Sequence, residues 1–260
     1  MTPFDAASRR TTFMTCRVGA AAIAAMAVAL LSLPAFAQAG SFEPDFRDLT
    51  LGVPATEMSI EGYDAISCGS NGGPPLRALA NWAQYDQCRP DREGFYEVAA
   101  EFGLVERITA ERLAAMYNGQ VDYSRGGTRF DQFPVVLSVL FDEDGISRGI
   151  RIVTDQRAPV GDRARAHLLP LQIIPRYAAR GEWDCVDNPQ RPGFNPVGET
   201  YIDRNCTIEV DGKRIVLVSH FYRKPGQSAL DPYGQPQQGQ FESLARWEIW
   251  DAEYLASKEQ

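Results

Sequence analysis

The sequence predicts an α+β fold in which an antiparallel sheet carries short helices on one side and is crosslinked by disulfides. Three observations lead to this class. Strand-like segments alternate with short helical ones, the clearest strands flank a tight turn, and two cysteine pairs repeat with nearly equal spacing. The repeated spacing also predicts an internal repeat of two related halves, residues 38–156 and 157–260.

Amphipathic strands account for most of the predicted regular structure. The clearest pattern is a hairpin, in which the aliphatic segments 134–141 (PVVLSVLF) and 146–153 (ISRGIRIV) flank the turn 142–145 (DEDG). Residues 95–102 (FYEVAAEF) alternate as a half-buried strand does. Two further strands are predicted in the second half, at residues 214–222 (RIVLVSHFY) and 243–250 (SLARWEIW).

The predicted helices are short and are bounded by capping residues or prolines. Residues 109–119 (TAERLAAMYNG) begin with a threonine that can cap the helix and end with Asn-Gly. Between helices and strands, residues 68–75 (CGSNGGPP) are predicted to be a loop. A turn and a short helix are predicted at residues 51–58 (LGVPATEM). Two other helical segments are predicted at residues 163–172 (RARAHLLPLQ, interrupted by Pro170) and 175–181 (PRYAARG, with Pro175 at its start).

The first 37 residues have the pattern of a signal peptide. Arg9, Arg10 and Arg17 precede an apolar, uncharged run at residues 18–33, and a small-x-small sequence that ends at Ala37 follows it. We therefore expect cleavage after Ala37, export to the periplasm or the exterior, and no transmembrane segment in the mature chain. An uncleaved anchor and export by the twin-arginine route are the alternatives.

The mature chain is acidic. The whole sequence has 26 basic and 34 acidic residues, and removal of the signal peptide, with its three arginines and one aspartate, leaves a net charge of −10. Such a chain is repelled on average by nucleic acid and by anionic lipid, so we expect neither as a partner. The charges are interspersed, as is usual on a solvated surface.

Four cysteines remain after cleavage, and they form two spaced pairs. Cys68 and Cys88 enclose 19 residues, Cys185 and Cys206 enclose 20, and a glycine follows each pair six residues later. In an oxidising compartment an even number of cysteines favours disulfides, and the repeated spacing favours local pairing within each pair. A four-cysteine zinc site is the alternative, although its ligands usually come in close pairs such as C-x2-C.

We find no catalytic motif in the sequence. The only histidines, His167 and His220, lack the H-E-x-x-H spacing of zinc hydrolases, and residues 68–72 (CGSNG) miss the G-x-S-x-G pattern of a serine nucleophile. The acidic turn 142–145 lacks the twelve-residue pattern of a calcium loop. We therefore predict no catalytic residue, metal or cofactor, although the fold could bring two carboxylates together for hydrolysis.

Aromatic side chains are the best candidates for a recognition surface, because aromatic residues are enriched at protein interfaces. They lie in the two cysteine loops, in the polar loop 224–240 and on the last strand. The candidates are Trp82, Tyr85, Phe194, Tyr201, Tyr233 and Trp250. The alternative for each residue is that it packs beneath its loop.

Part of the first half resembles a known family. Residues 46–58 (FRDLTLGVPATEM), followed by a cysteine pair and the strand 95–102, are similar to one repeat of the secreted beta-lactamase inhibitory protein family. The small lipoprotein of the outer-membrane barrel-assembly machine contains the same helix-plus-sheet unit. The resemblance implies a sheet face that binds another protein, and it implies no enzymatic activity.

These observations together predict an exported, non-enzymatic protein that binds another envelope or secreted protein. Two other hypotheses are a small periplasmic hydrolase that uses carboxylates and a carrier of a small ligand between the two halves. An aromatic patch on the sheet favours protein binding. A deep pocket with converging carboxylates favours the hydrolase, and an apolar cavity favours the carrier.

Overall fold

The computed structural model of the protein describes residues 49–104, 127–227 and 241–258, and positions 108, 109, 112, 115 and 116. All of them belong to one compact unit, Phe42–Gln260. The predicted signal peptide, its cleavage point after Ala37 and the aromatic candidate Tyr233 lie outside the described residues.

An antiparallel sheet dominates the fold and confirms the predicted α+β class. Within the described residues its strands are β1 Ala65–Cys68, β2 Ala78–Leu79, β3 Tyr96–Glu101, β4 Arg129–Phe130, β5 Phe133–Phe141, β6 Ser147–Thr154, β7 Asp184–Asp187, β8 Ile202–Val210, β9 Lys213–Tyr222 and β10 Glu242–Asp251. The helices are α1 Val160–Arg165, α2 Pro170–Tyr177 and α3 Ala252–Lys258, with 3-10 helices at Trp82–Gln87 and Ala166–Leu168.

The strands form two meanders within one sheet. The strand order is β2-β1-β3-β5-β6-β10-β9-β8-β7, with β4 paired to β5. The first meander contains β1, β3, β5 and β6, the second contains β7 to β10, and β6 pairs with β10 where they join. One continuous sheet therefore spans the two predicted halves, whose relationship as repeats stays a prediction.

One face of the sheet, which we call the core face, carries most of the hydrophobic core. Because successive side chains of a strand point to opposite faces, alternate residues of β5, β6 and β10 meet there. Leu137, Ile152 and Trp247 from these strands are fully buried, and α2 covers them with Ile173.

The opposite face, which we call the outer face, is covered by shorter segments. At one end α3 packs Leu255 against Trp250. Nearer the centre, the loop 69–77 between β1 and β2 passes so close to the sheet that it needs glycine. A Cβ atom on Gly72, which has a φ of +78°, would lie 2.4 Å from Cγ2 of Val153.

The structure confirms the predicted strands and corrects two of the predicted helices. The hairpin β5–β6 and the strands β3, β9 and β10 match the predicted segments within two residues. Residues 51–58 contain the predicted turn but no helix, and Pro54 forms an isolated bridge with Ile146.

The two prolines near α2 have positions different from those predicted. Pro170 begins α2 instead of interrupting a helix, because the first turn of a helix does not need a proline N–H. Pro175 lies inside the same helix. Its missing N–H would have bonded the carbonyl of Leu171, and Leu171 is 64% exposed, so water can reach this turn.

Four described positions of the predicted helix 109–119 are helical, and its other positions lie outside the described residues.

Candidate functional site

Both predicted disulfides are present, so the cysteines do not form a zinc site. Cys68 ends β1 and Cys88 follows the 3-10 helix at Trp82–Gln87. Their disulfide joins the start of the loop that follows β1 to the start of the loop that follows this 3-10 helix. Cys185 and Cys206 face each other directly on β7 and β8.

Two of the aromatic candidates are buried, and the structure corrects their assignment to a recognition surface. Trp82 is 0% exposed and Trp250 is 5% exposed. Trp82 packs against Phe141 beneath the first cysteine loop, with ring centroids 6.2 Å apart. Trp250 packs against Phe95 at 5.2 Å, because α3 covers this end of the outer face.

The remaining described aromatic candidates pack in two separate places. Tyr85 is half-buried against Phe141, far along the sheet from the others. Phe194 and Tyr201 flank Tyr222, with ring centroids 5.3 and 5.6 Å from it. These contacts hold the second cysteine loop on the sheet, which agrees with packing beneath the loops.

His167 lies beside Ser243, but the two do not form a catalytic pair. His167 Nδ1 is 3.2 Å from Ser243 Oγ, and that hydroxyl donates to the carbonyl of Ala164. Ser243 is 3% exposed and its hydroxyl bonds this carbonyl, so it does not present a nucleophilic oxygen to a substrate. Burial lowers the pKa of His167 and so favours the neutral form of the ring.

His220 lies beside a buried carboxylate that holds the second cysteine loop. Its Nε2 is 3.5 Å from Oδ1 of Asp203, which is 7% exposed. Asp203 also accepts from Asn188 Nδ2 at 3.0 Å and pairs with Arg191 at 3.1 Å. Burial lowers the pKa of His220, although the nearby Asp203 opposes this change.

A cleft of about 760 Å³ opens on the outer face. The strands β6 and β10 form its floor, and the loops that follow Cys68 and Cys88 form its walls. Its arginines are Arg89, Arg92, Arg151 and Arg246. Its acidic residues are Asp91, Glu93 and Glu248. The cleft is therefore polar, and it is not the apolar cavity expected of a carrier.

The floor of the cleft is a chain of buried ion pairs. Arg151, which is 5% exposed, donates from Nη1 to Glu97 Oε2 at 2.9 Å and from Nε to Glu248 Oε1 at 2.6 Å. Arg246 donates to the same oxygen of Glu248 at 3.0 Å and to Asn71 Oδ1 at 2.8 Å. Glu97 accepts the backbone N–H of Asn71, so the first wall is bonded to the floor. Buried charges need such partners.

These pairs keep the floor ionised. Burial disfavours the charged form of Glu248, but Arg151 and Arg246 outweigh burial and lower the pKa of Glu248. Burial acts against the charge of Arg151 as well, whereas Glu248 and Glu97 raise its pKa overall. A general acid in glycoside hydrolysis needs a raised pKa, so Glu248 does not suit that role.

Three guanidinium groups at the cleft have N–H groups without a partner among the described residues. Arg89 and Arg92 are exposed and form no ion pair within the described part of the chain. Arg151 uses Nε and Nη1 for the floor, and its Nη2 has no hydrogen-bond partner among the same residues. The cleft therefore offers hydrogen-bond donors above a fixed floor.

Local sequence determines the shape of both walls. In the first wall, a Cβ atom on Gly69 would lie 2.3 Å from Cγ of Glu97, so only glycine lets the chain approach the floor. In the second wall, Asp91 Oδ1 accepts the N–H of Phe95 at 2.9 Å, and Gly94 completes the turn with a φ of +89°. The sequence predicts the cysteines that begin the walls, but no local pattern in it marks the arginines as a site.

Among the described residues no helix is long and apolar enough to cross a bilayer. The same residues contain no cluster of three or more potential metal ligands of the histidine, cysteine or carboxylate kind.

Comparison with known proteins adds no relative. No family model, curated protein or solved structure matches the chain. The resemblance of residues 46–102 to the inhibitor family therefore stays a prediction. The candidate site has to be interpreted from its own geometry.

Proposed function

We propose that this chain is an exported, non-enzymatic binding protein of the cell envelope, and that it recognises an anionic group in the arginine-lined cleft. One observation carries the proposal. N–H groups of Arg89, Arg92 and Arg151 that have no partner among the described residues line the same cleft, and the ionised side chains of its floor are already paired.

Guanidinium groups suit this recognition. Their planar donors bind two oxygens of a carboxylate or phosphate at once, and a charged hydrogen bond is about twice as strong as a neutral one. The flanking carboxylates of Asp91 and Glu93 favour a ligand that carries hydrogen-bond donors next to its anionic group. The net negative charge of the chain disfavours long-range attraction of anions, so recognition depends on these local contacts.

The proposed location is the periplasm or the exterior, after cleavage behind Ala37. Two disulfides are compatible with such an oxidising compartment. Intact-mass analysis of protein isolated from the envelope of the expressing cell is expected to give a chain that begins at Gln38. Retention of the first 37 residues would contradict the proposed cleavage.

Calorimetric titration at low ionic strength tests the anion site, with citrate, inorganic phosphate and poly-L-glutamate as probes. We expect the double variant Arg89→Ala/Arg92→Ala to bind at least tenfold more weakly, since each charged hydrogen bond contributes about 1.5–3 kcal/mol. The control variant Arg165→Ala/Arg204→Ala changes the net charge equally. Its arginines are exposed and pair with carboxylates outside the cleft.

The outcomes separate the sources of the anionic group. If citrate or phosphate binds, and only the cleft variant loses this binding, the ligand is a small anion. Binding of poly-L-glutamate alone, with the same loss, supports an acidic partner protein. No binding of any probe, or an equal loss in the control variant, would refute the proposal.

A further inference from the structure

A second surface, distinct from the cleft, lies at the end of the sheet. The strand β7 is the last in the sheet order, and all four of its residues are exposed. The strands β8 and β9 separate it from β10, which forms the cleft floor. We propose that β7 is a docking edge for an extended peptide segment that carries a basic residue two positions from an apolar one. This inference is independent of the anion site.

The backbone of β7 leaves hydrogen-bonding groups that point away from the sheet. Asn188 N–H donates to the carbonyl of Asp203, and the Cα atoms of the opposed Cys185 and Cys206 are 4.0 Å apart. Such a close antiparallel pair is a non-hydrogen-bonded one. The N–H and C=O groups of Cys185 and Asp187 therefore face outward, and among the described residues they have no partner.

Covalent and ionic contacts hold β7 in an extended form. The disulfide fixes Cys185 to Cys206 on β8. Arg204 donates from Nε and Nη2 to the two carboxylate oxygens of Asp187, at 2.6 and 2.7 Å. A strand that is already ordered loses little conformational entropy when another strand pairs with it, which favours strand addition.

The side chains of β7 define the apolar requirement of the partner. Val186 points to the outer face, because it lies directly opposite Asn205 in the same row as Val218 and Arg246. It is 55% exposed. An added strand would place one side chain beside Val186, where an apolar residue buries both surfaces.

The charges around β7 define the basic requirement. Asp184 lies on the outer face two residues before Val186, and with Glu182 and Glu209 it lines a groove of about 430 Å³. Arg214 pairs with Glu209 at 3.0 Å, whereas Glu182 and Asp184 have no ion pair within the described part of the chain. A lysine or arginine opposite Asp184 would complement this charge.

A second copy of this chain is a poorer occupant of the edge. Pairing of two β7 strands would bring the unpaired carboxylates of both copies to one junction, and like charges across strands are destabilising. The charge pattern therefore favours a basic segment over self-association.

A symmetric peptide tests the proposal without knowledge of strand direction. The probe is acetyl-Thr-Lys-Thr-Val-Thr-Lys-Thr-amide, and the control peptide has glutamate in place of both lysines. In an NMR titration of the oxidised protein we expect the lysine peptide to shift the backbone amides of residues 184–188. We expect the amides of residues 89 and 91–94, in the cleft wall, to stay unchanged.

Two variants identify the contacts. Asp187→Pro and Asp187→Ala both lose the ion pair with Arg204, but only proline removes the outward N–H. We expect the proline variant to bind about fivefold more weakly than the alanine variant, the loss of about one hydrogen bond. If proline disturbs β7 itself, Asp184→Lys still tests the charge requirement, because it should reverse the preference to the glutamate peptide.

Three results would overturn the proposal. They are shifts confined to the cleft wall, an unchanged lysine preference in Asp184→Lys, and concentration-dependent dimerisation through β7 without peptide. The last result would make a second copy the occupant.

Discussion

Replacement of Glu97 by alanine tests whether the cleft floor is a structural element as well as a binding surface. The side chains of Glu97 and Arg151 are each 6% exposed, so their ion pair is almost fully removed from water. The substitution deletes the acceptor of Arg151 Nη1. It also deletes the acceptor of two backbone N–H groups in the first wall, those of Asn71 at 2.7 Å and Gly72 at 3.2 Å.

The expected loss follows from these contacts. Removal of one partner from a buried ion pair costs about 3–5 kcal/mol, because the other charge stays buried. Each abandoned N–H group costs about 1 kcal/mol or more unless water reaches it. Water entering from the cleft will offset part of this sum, so we expect the free energy of unfolding of Glu97→Ala to fall by about 3–5 kcal/mol. Glu97→Gln, which keeps an acceptor, should lose less.

Urea unfolding of the oxidised protein, followed by tryptophan fluorescence, measures this loss. The matched control is Glu209→Ala, whose ion pair with Arg214 is exposed and should contribute about 0–1 kcal/mol. A loss below about 1 kcal/mol for Glu97→Ala, or one equal to that of the control, would refute a structural role for the floor. If Glu97→Ala does not fold, the comparison of Glu97→Gln with the control decides.

Three further predictions concern the cleft. The double variant Cys68→Ala/Cys88→Ala should lose about 3 kcal/mol of stability in urea unfolding. It should also bind citrate more weakly, because both walls of the cleft lose their anchor. Removal of the other disulfide should reduce stability without changing citrate binding. Both Gly72 and Gly94 have a positive φ, but a Cβ atom on Gly72 would collide with Val153, whereas nothing lies within 4 Å of the Gly94 Cβ position. Gly72→Ala should therefore be at least about 1 kcal/mol less stable than Gly94→Ala. Equal urea midpoints would argue against the close approach of Gly72 to the sheet. The pKa of Glu248 is lowered from its ordinary value of 4.5, so the ionised side chain stabilises the fold above pH 4.5 and this stability is lost as pH falls through the lowered pKa. Glu248→Gln should therefore make the urea midpoint depend less on pH below 4.5, and an unchanged slope would contradict the ion pairs.

The parts of the fold that depend on neighbouring residues could be predicted from the sequence. The β5–β6 hairpin is an example. Asp142 Oδ1 accepts the N–H groups of Asp144 and Ile146, and Gly145 takes a φ of +75°, so the adjacent residues 142–146 contain the whole turn. The disulfide pairing was predictable for a similar reason, because each pair encloses a short loop.

The candidate site could not be predicted, because distant strand pairing creates it. Arg151 and Glu248 are 97 residues apart and meet only where β6 pairs with β10. The burial of Trp250 has the same kind of origin. Its strand pattern correctly places it opposite to Trp247, but the packing of α3 and Phe95 over it depends on tertiary contacts that the pattern does not contain.

The central position of β10 has a consequence for the order of folding. The two meanders can each begin to pair locally, but β6 and β9 keep unpaired edges until β10 inserts between them. This strand follows all the others in sequence, so in a chain that folds from its N-terminus both edges stay open to wrong pairing until residues 242–251 arrive. Closing contacts of such long sequence separation is slow. The rate of folding is therefore expected to depend on β10 more than on any strand that precedes it.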